Sequence, residues 1–194
     1  MTGIINNGGT VIIDQSIIEG ATEALNSYAA EFHILNSTFN NNVTDILAHD
    51  GYFATSTVNG NHFLYAALPA YHQQLPANHI LLINATGITI GGGTSEADRN
   101  TFEKKRHAIS AINSDLLAYN NSFTNCGRDE PDDNTHIAHA GAAIYGESDD
   151  THTNTITVSD NSAKLPNKFT NCYGGVETHS VHQVESCQHS LLPN

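Results

Sequence analysis

The stretch Ile34–Asn42, ILNSTFNNN, sets one large aromatic residue, Phe39, in a bed of Asn, Ser and Thr. A conventional core would give that ring apolar neighbours nearby in sequence, and a disordered segment would not carry it. The pattern makes sense if the apolar partners come from elsewhere in the chain at a regular spacing. Such a spacing exists. Gln15–Leu25 (QSIIEGATEAL) aligns with Asn36–Ile46 (NSTFNNNVTDI), and Arg99–Phe102 (RNTF) with Asn120–Phe123 (NNSF), each at an offset of 21. Thr55–Asn61 (TSTVNGN) aligns with Asn36–Asn42 at an offset of 19, Asn167–Val176 (NKFTNCYGGV) repeats the step after an insertion, and Val184–Cys187 (VESC) reads as the start of one more copy.

Short alternating stretches punctuate each unit: TVIID, FHIL, ILLI, GITIG, ISAI and NTITV. Their β-branched residues at period two are a strand signal. Only Asp98–Ile112 is long enough to be mistaken for a helix, and its Lys104-Lys105-Arg106 run reads as either a helical turn or a loop. Strands of three to five residues at a period near 21 predict an all-β fold, a parallel β-helix (solenoid) whose coils stack at about 4.8 Å. Equivalent inward positions then form ladders. Phe39 is expected in a column with Ile18, Val58, Phe102, Phe123 and Phe169, flanked by an Asn ladder at the turns. The chain holds 22 Asn, far above average usage, and Asn favours turns and left-handed backbone. Cys126 and Cys172, in matching TNC contexts, are expected in one column as well. They would be either small buried thiols or, if the insertion between them leaves their coils adjacent, a disulfide. One domain, residues 1–194, is expected, as a segment of a longer solenoid.

NGGTVIIDQSIIEGATEAL and FHILNSTFNNNVTDI resemble the degenerate repeats of right-handed parallel β-helix proteins, the pectate-lyase-like superfamily. The NGGT entry phrase resembles the version found in large secreted bacterial surface proteins. The resemblance spans about Gly8 to Cys187. It implies a right-handed β-helix and an extracellular or cell-surface location. It does not fix an activity, because the matching residues are structural.

Composition narrows the function classes. The formal net charge is −13, with seven Lys plus Arg, which opposes binding to nucleic acid or to an anionic membrane surface. No apolar run approaches a membrane span, and no signal peptide opens the chain, which suggests a mature or excised segment. The three Cys form no CxxC, and their odd number forbids complete pairing, which argues mildly against an oxidising compartment.

Interruptions of the repeat are where a site would sit. They fall at Leu64–Asn78, at Gly91–Arg106, and at Gly127–His139 followed by Gly146–Thr153. Tyr65, Tyr71 and His72 could stack on sugar rings, or fold over and cap apolar side chains. Asp129, Glu130, Asp132, Asp133, Asp149 and Asp150 offer hard oxygens but match no calcium motif. The His136/His139 and His179/His182 pairs would chelate only in loops or a helical turn. No metal or cofactor is expected. The best catalytic trio that can be assembled is Asp149 or Asp150 with His152 and Arg128. The GHG and RIK phrases of polygalacturonase-like hydrolases are absent. Two functions follow. One is a non-catalytic structural, adhesive or assembly module whose open coil ends pair with other solenoid segments or with copies of itself. The other is a carbohydrate-active or carbohydrate-binding β-helix that engages an extracellular polysaccharide.

Overall fold

The computed structural model describes residues 1–65, 78–127, 141–149, 151–158, 164–181 and 183–186. Its strands follow one another in threes. The first coil is β1 (Thr2–Asn6), β2 (Thr10–Asp14) and β3 (Ile17–Glu19). The second is β4 (Glu23–Tyr28), β5 (Glu31–Leu35) and β6 (Thr38–Asn40), and the third β7 (Thr44–Tyr52), β8 (Thr57–Asn59) and β9 (His62–Leu64). Coil 4 holds β10 (Asn78–Thr86), β11 (Ile88–Ile90) and β12 (Asn100–Glu103), and coil 5 holds β13 (His107–Ile112), β14 (Leu116–Ala118) and β15 (Asn121–Thr124). Coil 6 is β16 (Ala142–Glu147), β17 (Thr155–Val158) and β18 (Lys168–Thr170), and coil 7 contributes β19 (Gly174–His179) and β20 (Gln183–Ser186). First strands pair only with first strands, second with second and third with third, always in parallel, giving sheets A, B and C. This is a parallel β-helix.

Inward positions build the ladders. In sheet C the in-register column is Ile18, Phe39, Phe63, Phe102, Phe123 and Phe169. The rings stack face to face with centroids 4.6–5.1 Å apart. Phe63, not Val58, occupies the third-coil position. Val58 lies in sheet B between Ile34 and Ile90. The offset of 19 misplaced it because coil 3 is longer than coil 2, equivalent positions of coils 2 and 3 being 24 apart against 21 for coils 1 and 2. Val184–Ser186 of VESC belong to β20 in sheet B, where Val184 pairs with Ile156, in the place of the strand that leads into the Phe phrase in the preceding coils. The Asp98–Ile112 stretch is β12, a corner and β13, preceded by one short 3-10 turn at Glu96–Asp98.

Asparagine does two separate jobs. Among the described residues, seven of the twelve non-glycine residues with positive φ are Asn, including Asn36, Asn41, Asn84, Asn113 and Asn125. They sit at the corners, where the turn takes a left-handed residue and Asn accepts that conformation more readily than other side chains. A second set faces inward just ahead of the Phe column. Asn61 Oδ1 accepts the Ser37 N–H at 2.9 Å, Asn100 Oδ1 the Asn61 N–H at 3.0 Å, and Asn167 Oδ1 the Asn121 N–H at 3.0 Å. Their amides donate to carbonyls one coil back: Asn61 to Ile34, Asn100 to Val58, Asn121 to Ile90 and Asn167 to Ala118. The ladder therefore runs through the position of Ser37 in ILNSTFNNN, and Ser16 N–H bonds the Ser37 hydroxyl to continue it to coil 1.

Candidate functional site

Of the catalytic trio, the described residues include Asp149 and His152, and the fold does bring them together. They lie at an exposed corner between β16 and β17, with His152 Nδ1 2.7 Å from Asp149 Oδ1. Asp149 is already saturated. It accepts from the Thr151 hydroxyl at 2.6 Å, the Thr151 N–H at 2.8 Å and Asn113 Nδ2 at 2.9 Å. These bonds, with Thr151 first and His152 after it, hold the carboxyl well below its ordinary range. A carboxylate so fixed is a turn clamp and a poor proton acceptor at neutral pH. Arg128, Asp150, Tyr71 and His72 lie outside the described residues, as do Asp129–Asp133, His136, His139 and His182. Tyr65 is half-buried and turns inward, its ring 5.6 Å from the Lys105 ammonium.

A polar cluster that the sequence did not announce lies under that ring. Lys105, Asp45 and His79 have fully buried side chains. Between coils 1 and 2 the corner amides of Val43 and Thr44 donate to the carbonyls of Ala21 and Thr22. At the next corner along the stack the Asn42 and Val43 carbonyls take donors from a side chain. Lys105 reaches across from coil 4, about two coil spacings or ~9.6 Å, and supplies them. Its ammonium donates to Asn42 O at 2.8 Å, Val43 O at 2.9 Å and Asn78 O at 3.1 Å, which uses all three N–H bonds. Asp45 Oδ2, 3.8 Å away, balances the charge. Burial pushes Lys105 below its ordinary pKa and Asp45 opposes the shift.

His79 completes the cluster. Its Nε2–H donates to the Glu103 carbonyl at 2.9 Å, while Nδ1 lies 2.5 Å from Asp45 Oδ2. Both ring nitrogens face oxygen, so a proton is held between imidazole and carboxylate. Burial is the main force lowering the His79 pKa, Lys105 adds to it, and Asp45 pulls it back. The ring also lies against Phe63 and Phe102. This sealed arrangement can store a charge and fix a corner. It offers no reacting atom to solvent.

The outer face of sheet A carries the other gathering of titratable groups. The rings of His107, Tyr145 and His179, from coils 5, 6 and 7, form a ribbon with centroid separations of 4.7 and 5.7 Å. Tyr145 Oη donates to Glu147 at 3.1 Å and His179 Nε2 to Glu177 at 3.0 Å. Burial, then Glu147, raises the tyrosine pKa. His107 Nδ1 lies 3.2 Å from both the Ala142 N–H and the Ala142 carbonyl, and burial lowers its pKa while the bond to Ala142 opposes the shift. Among the described residues no three His, Cys, Asp or Glu side chains come close enough to hold a metal ion.

Comparison with protein-family models, with curated proteins and with solved structures finds no match to this chain. The fold class is therefore defined by the strand order itself. One signal in the sequence could have exposed the buried cluster. Lys105 follows the column residue Phe102 by three positions, as Ala21, Asn42, Cys126 and Cys172 follow Ile18, Phe39, Phe123 and Phe169. A lysine in a column of small or buried residues demands an acceptor set.

Proposed function

We propose that this chain is a non-catalytic β-helix of an extracellular or cell-surface protein, a structural, adhesive or assembly module that stacks end to end on a second copy of itself through coil 1. The resemblance of its repeats to secreted pectate-lyase-like β-helices belongs to this reading. The observation that carries it is the state of the first coil. β1, β2 and β3 are edge strands of all three sheets. The inward residues Ile4, Val11, Ile18 and Ala21 are only partly buried, whereas Leu25, Phe32 and Phe39 one coil along are completely enclosed. The outward positions change character as well. Ile5, Ile12 and Ile17 are 63%, 70% and 74% exposed, and their in-register neighbours on coil 2 are Asn26, His33 and Thr38. An apolar coil with open backbone edges is an association surface. Sedimentation velocity tests the reading: the wild type should associate, and Val11→Lys with Ile18→Lys should sediment as a folded monomer. Equal sedimentation of both as monomers overturns it.

A second reading, a carbohydrate-binding or carbohydrate-active β-helix, is favoured by the His107–Tyr145–His179 ribbon, whose ring faces and flanking carboxylates suit sugar hydroxyls and C–H faces. Retardation in gels containing neutral or acidic polysaccharides, lost in Tyr145→Ala, would support it. Unchanged migration in every polysaccharide would count against it.

A further inference from the structure

Cys126 and Cys172 stand in one column, at the corner where sheet C leads into sheet A, on coils 5 and 6. Phe123 and Phe169, three residues before each, are in-register partners, and the Tyr173 N–H donates to the Cys126 carbonyl at 3.0 Å. The two residues are therefore side by side on successive coils, although the sequence places them 46 positions apart, the same offset as Asn125 and Asn171. Both side chains lean the same way. Cys126 Sγ points to Phe102 O at 3.7 Å and Cys172 Sγ to Phe123 O at 3.5 Å, each one coil back. The Cys172 sulfur consequently lies over Cys126. Both are thiols in this structure. A coil spacing of about 4.8 Å falls inside the roughly 4.4–6.8 Å between Cα atoms that a disulfide spans.

We propose that Cys126 and Cys172 form a thiol–disulfide exchange site that closes into a bridge between coils 5 and 6. The two thiols are unequal. Cys172 is half-buried and reachable, while Cys126 is completely buried. The adjacent Cys172 side chain, and then burial, holds the Cys126 thiol well above its ordinary pKa. The order of steps follows. The Cys172 thiolate attacks a low-molecular-weight disulfide, forming a mixed disulfide and releasing one thiolate. Cys126 then loses its proton to solvent and attacks Cys172 Sγ, forming the protein S–S bond and releasing the second thiolate. Two protein thiols are oxidised and one small disulfide is reduced to two thiols. The second step is the slow one, because the resolving thiol is poorly ionised.

The bridge would sit where the chain departs from the stack. Gly127 follows Cys126, and the returning Gly141 N–H donates to the Gly127 carbonyl at 3.1 Å. There is no slack at that junction, since a Cβ on Gly127 would lie 2.2 Å from Gly141 O. Oxidation would therefore tie the end of coil 5, beside this junction, to the end of coil 6. This holds whether or not the coil ends associate.

The test is treatment of the full chain, in its native state, with oxidised glutathione at mildly alkaline pH, followed by intact mass and peptide mapping. The expected product has lost two hydrogens, links the Cys126 and Cys172 peptides, and reverts with dithiothreitol. Its Tm should rise by about 5–15 °C, given a closed loop of this length. The Cys126→Ser variant should stop at a stable glutathione adduct on Cys172. Cys187→Ser should leave the bridge unchanged. Overturning results are an adduct on Cys172 that never resolves in the wild type, a bridge from Cys172 to Cys187, or no reaction.

Discussion

Replacing Lys105 with Met tests the physical account of the stack where it is least regular. Methionine keeps the length and most of the apolar stem but removes the ammonium. Three buried carbonyls, of Asn42, Val43 and Asn78, then lose their donor, and the enclosed Asp45–His79 pair loses its nearest cation. Removing one partner of a buried ion pair costs about 3–5 kcal/mol. For a chain of this size that is a fall in Tm of roughly 6–20 °C. Urea unfolding followed by circular dichroism, together with calorimetry, measures both quantities. Lys104→Asn is the control. Lys104 is exposed and has a φ of 56°, so Asn should be neutral or slightly stabilising there. Adding Asp45→Asn to Lys105→Met should recover part of the loss, because the carboxylate is no longer left without its cation. A cost below about 1 kcal/mol for Lys105→Met would refute the reasoning, since it would mean those carbonyls find other donors.

Three further outcomes are expected. Asn100→Ala should cost about 1–3 kcal/mol in urea unfolding, by leaving the Asn61 N–H and the Val58 carbonyl unpaired in the interior. Phe102→Ala, in the middle of the stacked rings, should cost about 3–5 kcal/mol by chemical denaturation. His107 should titrate below its usual 6.5 in imidazole NMR. The unfolded chain then binds more protons in that window, so the stability His107 contributes is present above pH 6.5 and is lost as pH falls through the lower folded value. His107→Gln should flatten that part of the stability profile.

The fold was legible because a solenoid writes its core into the sequence at a fixed interval. Phe39, Phe102, Phe123 and Phe169 could be aligned without a structure, since coils 2, 4, 5 and 6 keep the same short phrase around the ring. Phe63 was missed because coil 3 has an extended first strand, Thr44–Tyr52, which shifts the phase and lets Val58 imitate the column residue. The buried cluster was harder to see. Asp45 comes from coil 3 and His79 and Lys105 from the two ends of coil 4, and what unites them is a set of buried hydrogen bonds rather than a motif. Asp149 and His152 were found as neighbours, but their chemistry depends on Asn113 and Thr151, whose bonds turn a candidate base into a clamp. The apolar change in coil 1 was present in the sequence as Ile5, Ile12 and Ile17. It acquires meaning only when the register sets each beside a polar residue of coil 2.

End-to-end association through coil 1 is tested most directly by hydrogen–deuterium exchange over residues 2–19 at increasing protein concentration. The account predicts that amides of β1, β2 and β3 become protected as concentration rises, while those of coils 3 to 5 do not change. Exchange in coil 1 that stays fast and concentration-independent, in a sample that remains monomeric, would contradict it.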